Sequence, residues 1–217
     1  MTLFESARFT TSVATFGELN AAPLAMLPEL AFVGRSNAGK SSVINTLANR
    51  RQLAYASKTP GRTQLLNFFE LSDRAGDGPA AARAYAVDLP GYGFAKVDAT
   101  KRAAWDELAG SYLVTRRYLV GVVLVMDARR PLVPADETLL AWLGQRSDPM
   151  LLHVHLLLNK SDQLNRAERA AALRLVERRV AELPLRASAQ TFSARTREGL
   201  DQLQEALENI IAQARPG

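Results

Sequence analysis

Short apolar runs alternate with segments of helical spacing along most of this chain. The run at 29–33 holds one polar residue and the run Gly121–Met126 holds none, which is typical of strands covered on both sides. In the segment 200–210, apolar residues recur at intervals of three and four, as on one face of a helix. Strands that alternate with helices predict a mostly parallel sheet with helices on both faces.

The same pattern places the predicted elements along the chain. We expect residues 1–28 to form an N-terminal extension with an edge strand at Arg8–Val13, residues 29–213 to form one α/β domain, and residues 214–217 to be a loose tail. The domain is expected to hold a six-stranded sheet. Its predicted strands are 29–33, 63–71, 83–87, 121–126, 151–158 and one that ends in the segment 191–194. Its predicted helices follow residue 41 and lie at about 100–118, 134–147, 165–182 and 200–210.

Length, composition and charge exclude several classes of protein for this chain. The chain has 217 residues, which suits one domain, and no cysteine, which excludes disulfides, thiolate metal sites and a cysteine nucleophile. Its 27 Lys and Arg against 22 Asp and Glu give a net charge of +5, a weak indication of an acidic partner. Prolines interrupt the apolar residues at 24–30, and no apolar run reaches the about 18–20 residues of a membrane helix. We therefore expect a soluble, cytoplasmic protein without membrane attachment.

The segment Gly34–Ser41 matches the pattern of a phosphate-binding loop between a strand and a helix. Gly34 and Gly39 permit the turn that aims successive backbone N–H groups at one anion, and the next helix directs its positive end there. Lys40 adds a charge for the β- and γ-phosphates, and the Ser41 hydroxyl is a ligand for Mg²⁺. An ordinary glycine turn is the alternative, and the match at all four fixed positions in this context disfavours it.

Asp88 stands at the end of a predicted strand and is followed by Leu-Pro-Gly91. Its carboxylate can hold Mg²⁺ through water, and the Gly91 N–H can meet a γ-phosphate. The pattern Asp-x-x-Gly is a common turn when it occurs alone. Its position at a strand end downstream of the phosphate loop favours a role in the site.

A third motif, Asn159-Lys-Ser-Asp162, ends an apolar strand. The Asp162 carboxylate can accept hydrogen bonds from N1–H and N2–H₂ of guanine, a donor pair that adenine lacks. Lys160 can lay its alkyl stem over the purine, and Asn159 can tie this loop to the phosphate loop. The alternative is a polar turn in which Asp162 or Asn165 caps the next helix.

Together these motifs resemble those of TRAFAC-class GTPases, and more narrowly those of the EngB (YihA/YsxC) family of bacterial ribosome-assembly GTPases. The resemblance covers about residues 28–211 and rests on Pro60-Gly-Arg-Thr-Gln64, Asp88-Leu-Pro-Gly-Tyr-Gly93 with Phe94-Ala-Lys96, and Asn159–Asp162. It implies a single Ras-like P-loop GTPase domain with weak, Mg²⁺-dependent GTP hydrolysis. It also implies a switch that binds GTP and GDP, acts on the large ribosomal subunit or its rRNA during assembly, supports normal cell division and septation, and is a monomer.

The resemblance further assigns roles at the metal and the γ-phosphate. Ser41 and Thr63 are expected to ligate Mg²⁺ directly, and Asp88 is expected to hold it through water. The expected catalytic residues are Lys40, Thr63 and Gly91.

Guanine contacts are expected from a fourth segment, Thr191-Phe-Ser-Ala194, whose Ser193 and Ala194 N–H groups can bind the guanine O6. The expected GTP-binding residues are Gly34, Arg35, Ser36, Asn37, Ala38, Gly39, Lys40, Ser41, Gly61, Arg62, Thr63, Gln64, Leu65, Asp88, Leu89, Pro90, Gly91, Asn159, Lys160, Ser161, Asp162, Phe192, Ser193 and Ala194.

Two further positions bear on mechanism. Tyr92 stands where small Ras-like GTPases carry the glutamine that orients the attacking water, so we expect slow intrinsic hydrolysis. Asn37 matches the asparagine of potassium-stimulated GTPases, where a K⁺ beside the phosphates adds positive charge. The alternative for Asn37 is a loop residue with no ion.

Weaker signals leave several alternatives open. Basic residues near the segments 60–64 and 88–96 either form a solvated face or dock onto RNA phosphates. His153 and His155 point to one face of a strand, where core histidines are favoured over a metal pair. A phosphotransferase that uses ATP and an RNA-binding module with a vestigial nucleotide site are the alternative functions. The basic residues are Arg50, Arg51, Lys58, Arg62, Lys96, Lys101 and Arg102, with Arg116, Arg117, Arg129 and Arg130 as two further pairs.

Overall fold

The structure is a computed structural model of the chain, and it describes residues 2–22, 24–54, 65–73, 80–92 and 105–214. The expected site residues Gly61, Arg62, Thr63 and Gln64 lie outside the described residues, as do Lys58, Gly93, Phe94, Lys96, Lys101 and Arg102.

One sheet runs through the described part of the chain. In the sheet, these strands follow the order β1-β3-β4-β2-β5-β6-β7, in which β4, β2, β5, β6 and β7 are mutually parallel and β3 runs antiparallel to both β4 and β1. The strands are β1 (Arg8–Val13), β2 (Glu29–Gly34), β3 (Leu66–Ser72), β4 (Ala82–Asp88), β5 (Leu119–Asp127), β6 (His153–Asn159) and β7 (Arg186–Thr191).

The prediction of a six-stranded sheet misses one strand. The described residues form seven, because the edge strand at Arg8–Val13 pairs with β3 and extends the main sheet. Val13 is buried in the apolar layer on one face of the sheet and Phe4 in the layer on the other face, so this N-terminal segment packs as part of the α/β unit. The mostly parallel α/β architecture is confirmed.

Helices cover both faces of this sheet. The helices are α1 (Phe16–Ala21), α2 (Lys40–Leu47), a π-helical turn (Asp106–Gly110) that continues into α3 (Ser111–Thr115), α4 (Pro134–Leu143), α5 (Arg166–Glu182) and α6 (Leu200–Ala212), with 3₁₀ turns at Leu3–Ser6, Pro149–Leu151 and Ser161–Gln163. Helices α2 and α6 bury apolar residues on one face, and α1, α3, α4 and α5 bury theirs on the other.

Local sequence explains where these helices begin. The side chain of Asn165 accepts a hydrogen bond from the Glu168 N–H at 2.9 Å, and the Glu168 carboxylate accepts one from the Asn165 N–H at 2.9 Å, which is a capping box for α5. Gly199 caps α6 with φ of +80°, and the apolar positions of α6 are buried at the predicted spacing of three and four.

A buried polar cluster lies at the amino end of β2. Glu29 is fully buried, and it accepts hydrogen bonds from the Arg116 guanidinium at 2.9 Å and from the Tyr112 hydroxyl at 2.8 Å. Arg116 also lies over the Tyr118 ring at 5.1 Å. Arg116, predicted as one of a solvated or RNA-binding pair, is therefore a structural partner of a buried carboxylate.

Among the described residues, no helix combines the length and the apolar character that crossing a membrane requires.

Candidate functional site

The sequence motifs converge at the carboxyl ends of the parallel strands. The phosphate loop follows β2, Asp88 ends β4, Asp127 ends β5 and Asn159 ends β6. These strands are neighbours in the sheet, so their last residues open onto one crevice, where ligands of such sheets bind.

Close approach of other backbone and side-chain atoms explains both glycines of the phosphate loop. A Cβ atom on Gly34 would lie 2.6 Å from the carbonyl oxygen of Val125 in β5. Gly39 caps α2 with φ of +96°, and a Cβ there would lie 2.3 Å from the amide nitrogen of Asn159. The loop therefore packs directly on β5 and on the Asn159 side chain, and only glycine fits at these two points.

Lys40 and Asp88 face each other across the crevice. The Lys40 ammonium contacts the Asp88 carboxylate, and both side chains are largely buried. Phosphate would give Lys40 an anionic partner, and Mg²⁺ would give Asp88 a cationic one, so a metal–phosphate ligand can replace this ion pair without leaving either charge unpaired. The Ser41 hydroxyl and the Asp88 carboxylate are both hard oxygen donors, so the donor set fits Mg²⁺.

The segment after Asp88 pairs with the phosphate loop. The Tyr92 N–H donates to the Gly34 carbonyl at 3.3 Å, and the Ser36 N–H donates to the Tyr92 carbonyl at 3.3 Å. A Cβ on Gly91 would lie 3.2 Å from the Ser36 hydroxyl, so Gly91 borders the loop directly. Lys40 of the phosphate loop is thereby brought to one place with Asp88 and Gly91 of the second motif.

Asn159 connects three loops. Its amide nitrogen donates to the Ala38 carbonyl at 2.9 Å, and its amide oxygen accepts from the Ala194 N–H at 3.2 Å. The side chain is buried, so these bonds are shielded from water. The sequence predicts this tie between the phosphate loop and the loop at 159–162, here named the base loop.

Lys160 is held at the mouth of the crevice. Its ammonium donates to the Asn37 carbonyl at 2.6 Å and to the Asp127 carboxylate at 2.9 Å. Arg129 also binds Asp127 through two nitrogens, and these hydrogen bonds, with Lys160, hold the pKa of the Asp127 carboxyl well below its usual range. Lys160 has φ of +66° and Asn37 has φ of +69°, so both sit in tight turns.

Asp162 is fixed by two donors. The Ser193 hydroxyl donates to one carboxylate oxygen at 2.6 Å, and Arg195 Nε donates to the other at 2.7 Å. These bonds, Ser193 first, lower the pKa of the Asp162 carboxyl, so it is ionised and acceptor-only at neutral pH. The alternative role as a helix cap falls to Asn165, which caps α5.

Several expected contact residues have their side chains in the core. Leu89, Ser161 and Phe192 are buried, and the Ser161 N–H donates to the Phe192 carbonyl at 3.1 Å. The Ser193 N–H donates to the Glu198 carbonyl at 3.1 Å, so it is engaged within its own loop. These residues shape the loops, and their expected contacts with the nucleotide stay predictions.

A polar cavity of about 400 Å³ opens beside the phosphate loop. Its charged lining consists of Arg35, Asp127, Arg129, Arg130, Asp136 and Lys160. Basic side chains outnumber acidic ones there, so the rim of the crevice favours anions.

The two histidines form a hydrogen-bonded chain in the sheet. His153 Nε2 and His155 Nδ1 each lie 2.8 Å from the Ser188 hydroxyl, and His155 Nε2 lies 3.2 Å from the Gln190 amide oxygen. Among the described residues, no group of three or more His, Asp or Glu side chains is arranged to hold a metal. The favoured interpretation as core histidines agrees with these contacts.

Sequence reasoning missed three residues of the site. Asp127 could have been noticed as the first polar residue after the apolar run of β5, and Arg195 as the residue directly after Ala194. Asp136, which binds Tyr92, carries no local signal because it belongs to the first turn of α4.

Comparison with known proteins identifies relatives. A family model described as a 50S ribosome-binding GTPase matches residues 29–160. The chain is 47% identical over 212 residues to the probable GTP-binding protein EngB of Laribacter hongkongensis, covering 98% of this chain and 88% of the relative. It is 45% identical to the protein of the same name from Thiobacillus denitrificans, covering 95% and 91%.

Solved structures share the fold. One is a probable GTP-binding protein engB, with a TM-score of 0.57 at 18% identity, covering 85% of this chain and 99% of that one. Another is a GTP-binding protein from Sulfolobus solfataricus in complex with GDP, with a TM-score of 0.60 at 19% identity, covering 92% and 56%.

Proposed function

The chain belongs to the EngB family of GTP-binding proteins, and on that premise we propose that it is a slow, Mg²⁺-dependent GTPase that acts as a switch in assembly of the large ribosomal subunit. Through that role it supports normal cell division and septation. We propose a cytoplasmic monomer, because ribosomes are assembled in the cytoplasm and one chain carries all the motifs. Residues 29–213 are the proposed GTPase domain, with 214–217 as its tail and 1–28 as an N-terminal extension whose strand β1 joins the sheet of the domain.

One observation carries this proposal above the others. Asn159 bridges the phosphate loop at Ala38 and the loop of Ala194, so the phosphate-binding and base-binding motifs form one hydrogen-bonded unit. Asp162, which can select guanine, belongs to that unit through the Ser193 hydroxyl. In a phosphotransferase that uses ATP, this carboxylate would find no donor pair on adenine. In a vestigial nucleotide site, function would not maintain the Asn159 bridge between the two loops.

The proposed roles follow from the chemistry of each group. Lys40 and the N–H groups at the start of α2 bind the phosphates, and Asp162 selects guanine. Ser41 and Thr63 would hold Mg²⁺ directly and Asp88 through water; Thr63 lies outside the described residues. When bound, the metal neutralises charge that builds on the γ-phosphate oxygens. The other residues expected from the sequence to bind GTP are proposed here to contact the nucleotide.

Positive charge beside the phosphates, which other GTPases take from an arginine finger, is the proposed aid to hydrolysis here. Asn37 is a candidate to hold K⁺ beside the phosphates, and the alternative is a loop residue without an ion. Rates measured in equal concentrations of KCl and NaCl separate the two, because only bound K⁺ would accelerate hydrolysis selectively.

Co-sedimentation with ribosomal subunits tests the switch. We expect the protein to pellet with large subunits in the presence of a non-hydrolysable GTP analogue and Mg²⁺, and to remain in the supernatant with GDP. Binding that is equal in both nucleotide states would contradict the switch. Binding that persists without any nucleotide would favour the RNA-binding alternative.

A further inference from the structure

Tyr92 is tied to a helix on the far side of the crevice from α2. Its hydroxyl donates to one oxygen of Asp136 at 2.6 Å, and the other oxygen of Asp136 accepts from the Val133 N–H at 3.1 Å. Tyr92 and Asp136 are 6% and 2% exposed, so this pair is shielded from water. The Tyr92 hydroxyl is therefore engaged by Asp136, and the Tyr92 ring is anchored to the first turn of α4.

Trp105 holds the same segment from the other side. Its indole Nε1 donates to the Pro90 carbonyl at 2.8 Å, and its ring meets the Tyr92 ring edge-on with centroids 5.9 Å apart. Trp142 of α4 lies next to Trp105, with ring centroids 6.0 Å apart. Pro90 and Tyr92 are the two neighbours of Gly91, so each peptide that flanks Gly91 has its own tether.

Gly91 has no side chain through which its position could be fixed. Its N–H direction depends on the Pro90 and Tyr92 peptides, and the Tyr92 backbone is also paired with Gly34 and Ser36 of the phosphate loop. Burial raises the pKa of Tyr92, so the hydroxyl stays protonated and needs an acceptor. Asp136 supplies that acceptor.

We infer that Asp136, acting through Tyr92, and Trp105, acting through Pro90, are positioning residues for the contact between the Gly91 N–H and the γ-phosphate. This inference rests on the proposed GTPase function and deepens it. GDP has no γ-phosphate, so the tethers should matter for GTP and for hydrolysis and should not matter for GDP. A tether that served stability alone would affect both nucleotides equally.

The chain offers a matched control for the test. Tyr112→Phe removes a buried hydroxyl that donates to the Glu29 carboxylate at 2.8 Å, at the opposite end of β2 from the phosphate loop. Tyr92→Phe likewise removes a buried tyrosine hydroxyl that donates to a carboxylate, here that of Asp136 at the candidate site. For wild type and both variants, the dissociation constants of GDP and of a non-hydrolysable GTP analogue are measured, together with kcat, KM and the unfolding temperature.

We expect both variants to unfold at lower temperature. Tyr92→Phe should raise the dissociation constant of the GTP analogue relative to that of GDP about three- to tenfold and lower kcat by a similar factor, as for loss of one hydrogen bond. Tyr112→Phe should leave both the ratio and kcat unchanged. A Tyr92→Phe variant that keeps the wild-type ratio and kcat would overturn the inference.

Asp136 gives a second, independent test. Asp136→Asn keeps one oxygen for Tyr92 and loses the bond from the Val133 N–H, so it should lower stability and still retain most of the wild-type ratio of the dissociation constants of GTP analogue and GDP. Asp136→Ala should match Tyr92→Phe. Both tryptophans of the chain lie in this cluster, so intrinsic emission should change when the GTP analogue replaces GDP. Equal effects of the Asn and Ala variants would contradict the inference. Wild-type protein that does not hydrolyse GTP would instead contradict the proposed function.

Discussion

Replacing Asn159 by alanine tests whether one side chain holds the base loop and the phosphate loop together. The substitution removes a hydrogen bond to the Ala38 carbonyl and another from the Ala194 N–H, both in a buried place. Each orphaned backbone group costs about 1–3 kcal/mol, and water entering from the crevice keeps the sum near the lower end, at about 2–4 kcal/mol. For a chain of this length, that lowers the unfolding temperature by about 4–16 °C.

Calorimetry and titration with GDP measure the effect of Asn159→Ala. We expect the affinity for GDP to fall at least about tenfold, because the two loops are no longer held together by Asn159. A tenfold loss of affinity corresponds to about 1.4 kcal/mol. Asn165→Ala is the matched control, since it removes the cap of α5, costs about 1 kcal/mol and should leave GDP affinity unchanged. An Asn159→Ala protein that is as stable as Asn165→Ala, or that binds GDP like wild type, would refute the reasoning.

Three further predictions concern backbone strain, pH and a buried charge. Gly39→Ala forces a non-glycine residue to φ of +96° against Asn159, so it should cost about 1–2 kcal/mol in unfolding free energy and weaken binding of radiolabelled GDP; normal affinity would contradict this. Burial lowers the pKa of His155 to about 4, so the unfolded chain takes up the proton first as pH falls. Stability should therefore be lost between about pH 6.5 and pH 4, and urea unfolding of His155→Gln should show a shallower loss than wild type; an unchanged slope would exclude this role. Arg116→Ala leaves the Glu29 carboxylate buried without its cation and should cost about 3–5 kcal/mol by denaturant unfolding; a loss below about 1 kcal/mol would contradict the role of Arg116 as the partner of Glu29.

The location of the site could be predicted because its motifs end parallel strands. Once β2, β4 and β6 run in one direction, their carboxyl ends must meet at one edge, whatever the details of the loops. The tie between Asn159 and the phosphate loop follows from that geometry and from the donor and acceptor in an asparagine amide.

Contacts that depend on how helices pack could not be predicted. Tyr92 and Asp136 are far apart in the chain, and only the docking of α4 on the sheet brings them within 2.6 Å. From the sequence, Arg116 is interpreted as a solvated or RNA-binding residue because the next residue is also arginine. Its partner Glu29 lies far away in the sequence, at the start of an otherwise apolar strand. A charge in an apolar run signals a partner, but the sequence does not say which one.

The edge strand β1 shows why the strand number was wrong. Only Val13 of its six residues is buried, so the alternation of apolar and polar positions that marks a half-buried strand is nearly absent. Its place in the sheet comes from backbone pairing with β3, which side-chain patterns do not report.

Titration with fluorescent GDP and ADP tests the central claim, that the crevice at the strand ends selects a guanine nucleotide through Asp162. We expect GDP to bind at least about a hundredfold more tightly than ADP, because adenine lacks the N1–H and N2–H₂ donors that guanine presents to the Asp162 carboxylate. The Asp162→Asn variant should lose GDP and gain xanthosine diphosphate, whose base presents an acceptor where guanine presents an amine. Equal affinity of the wild-type protein for GDP and ADP would contradict the account.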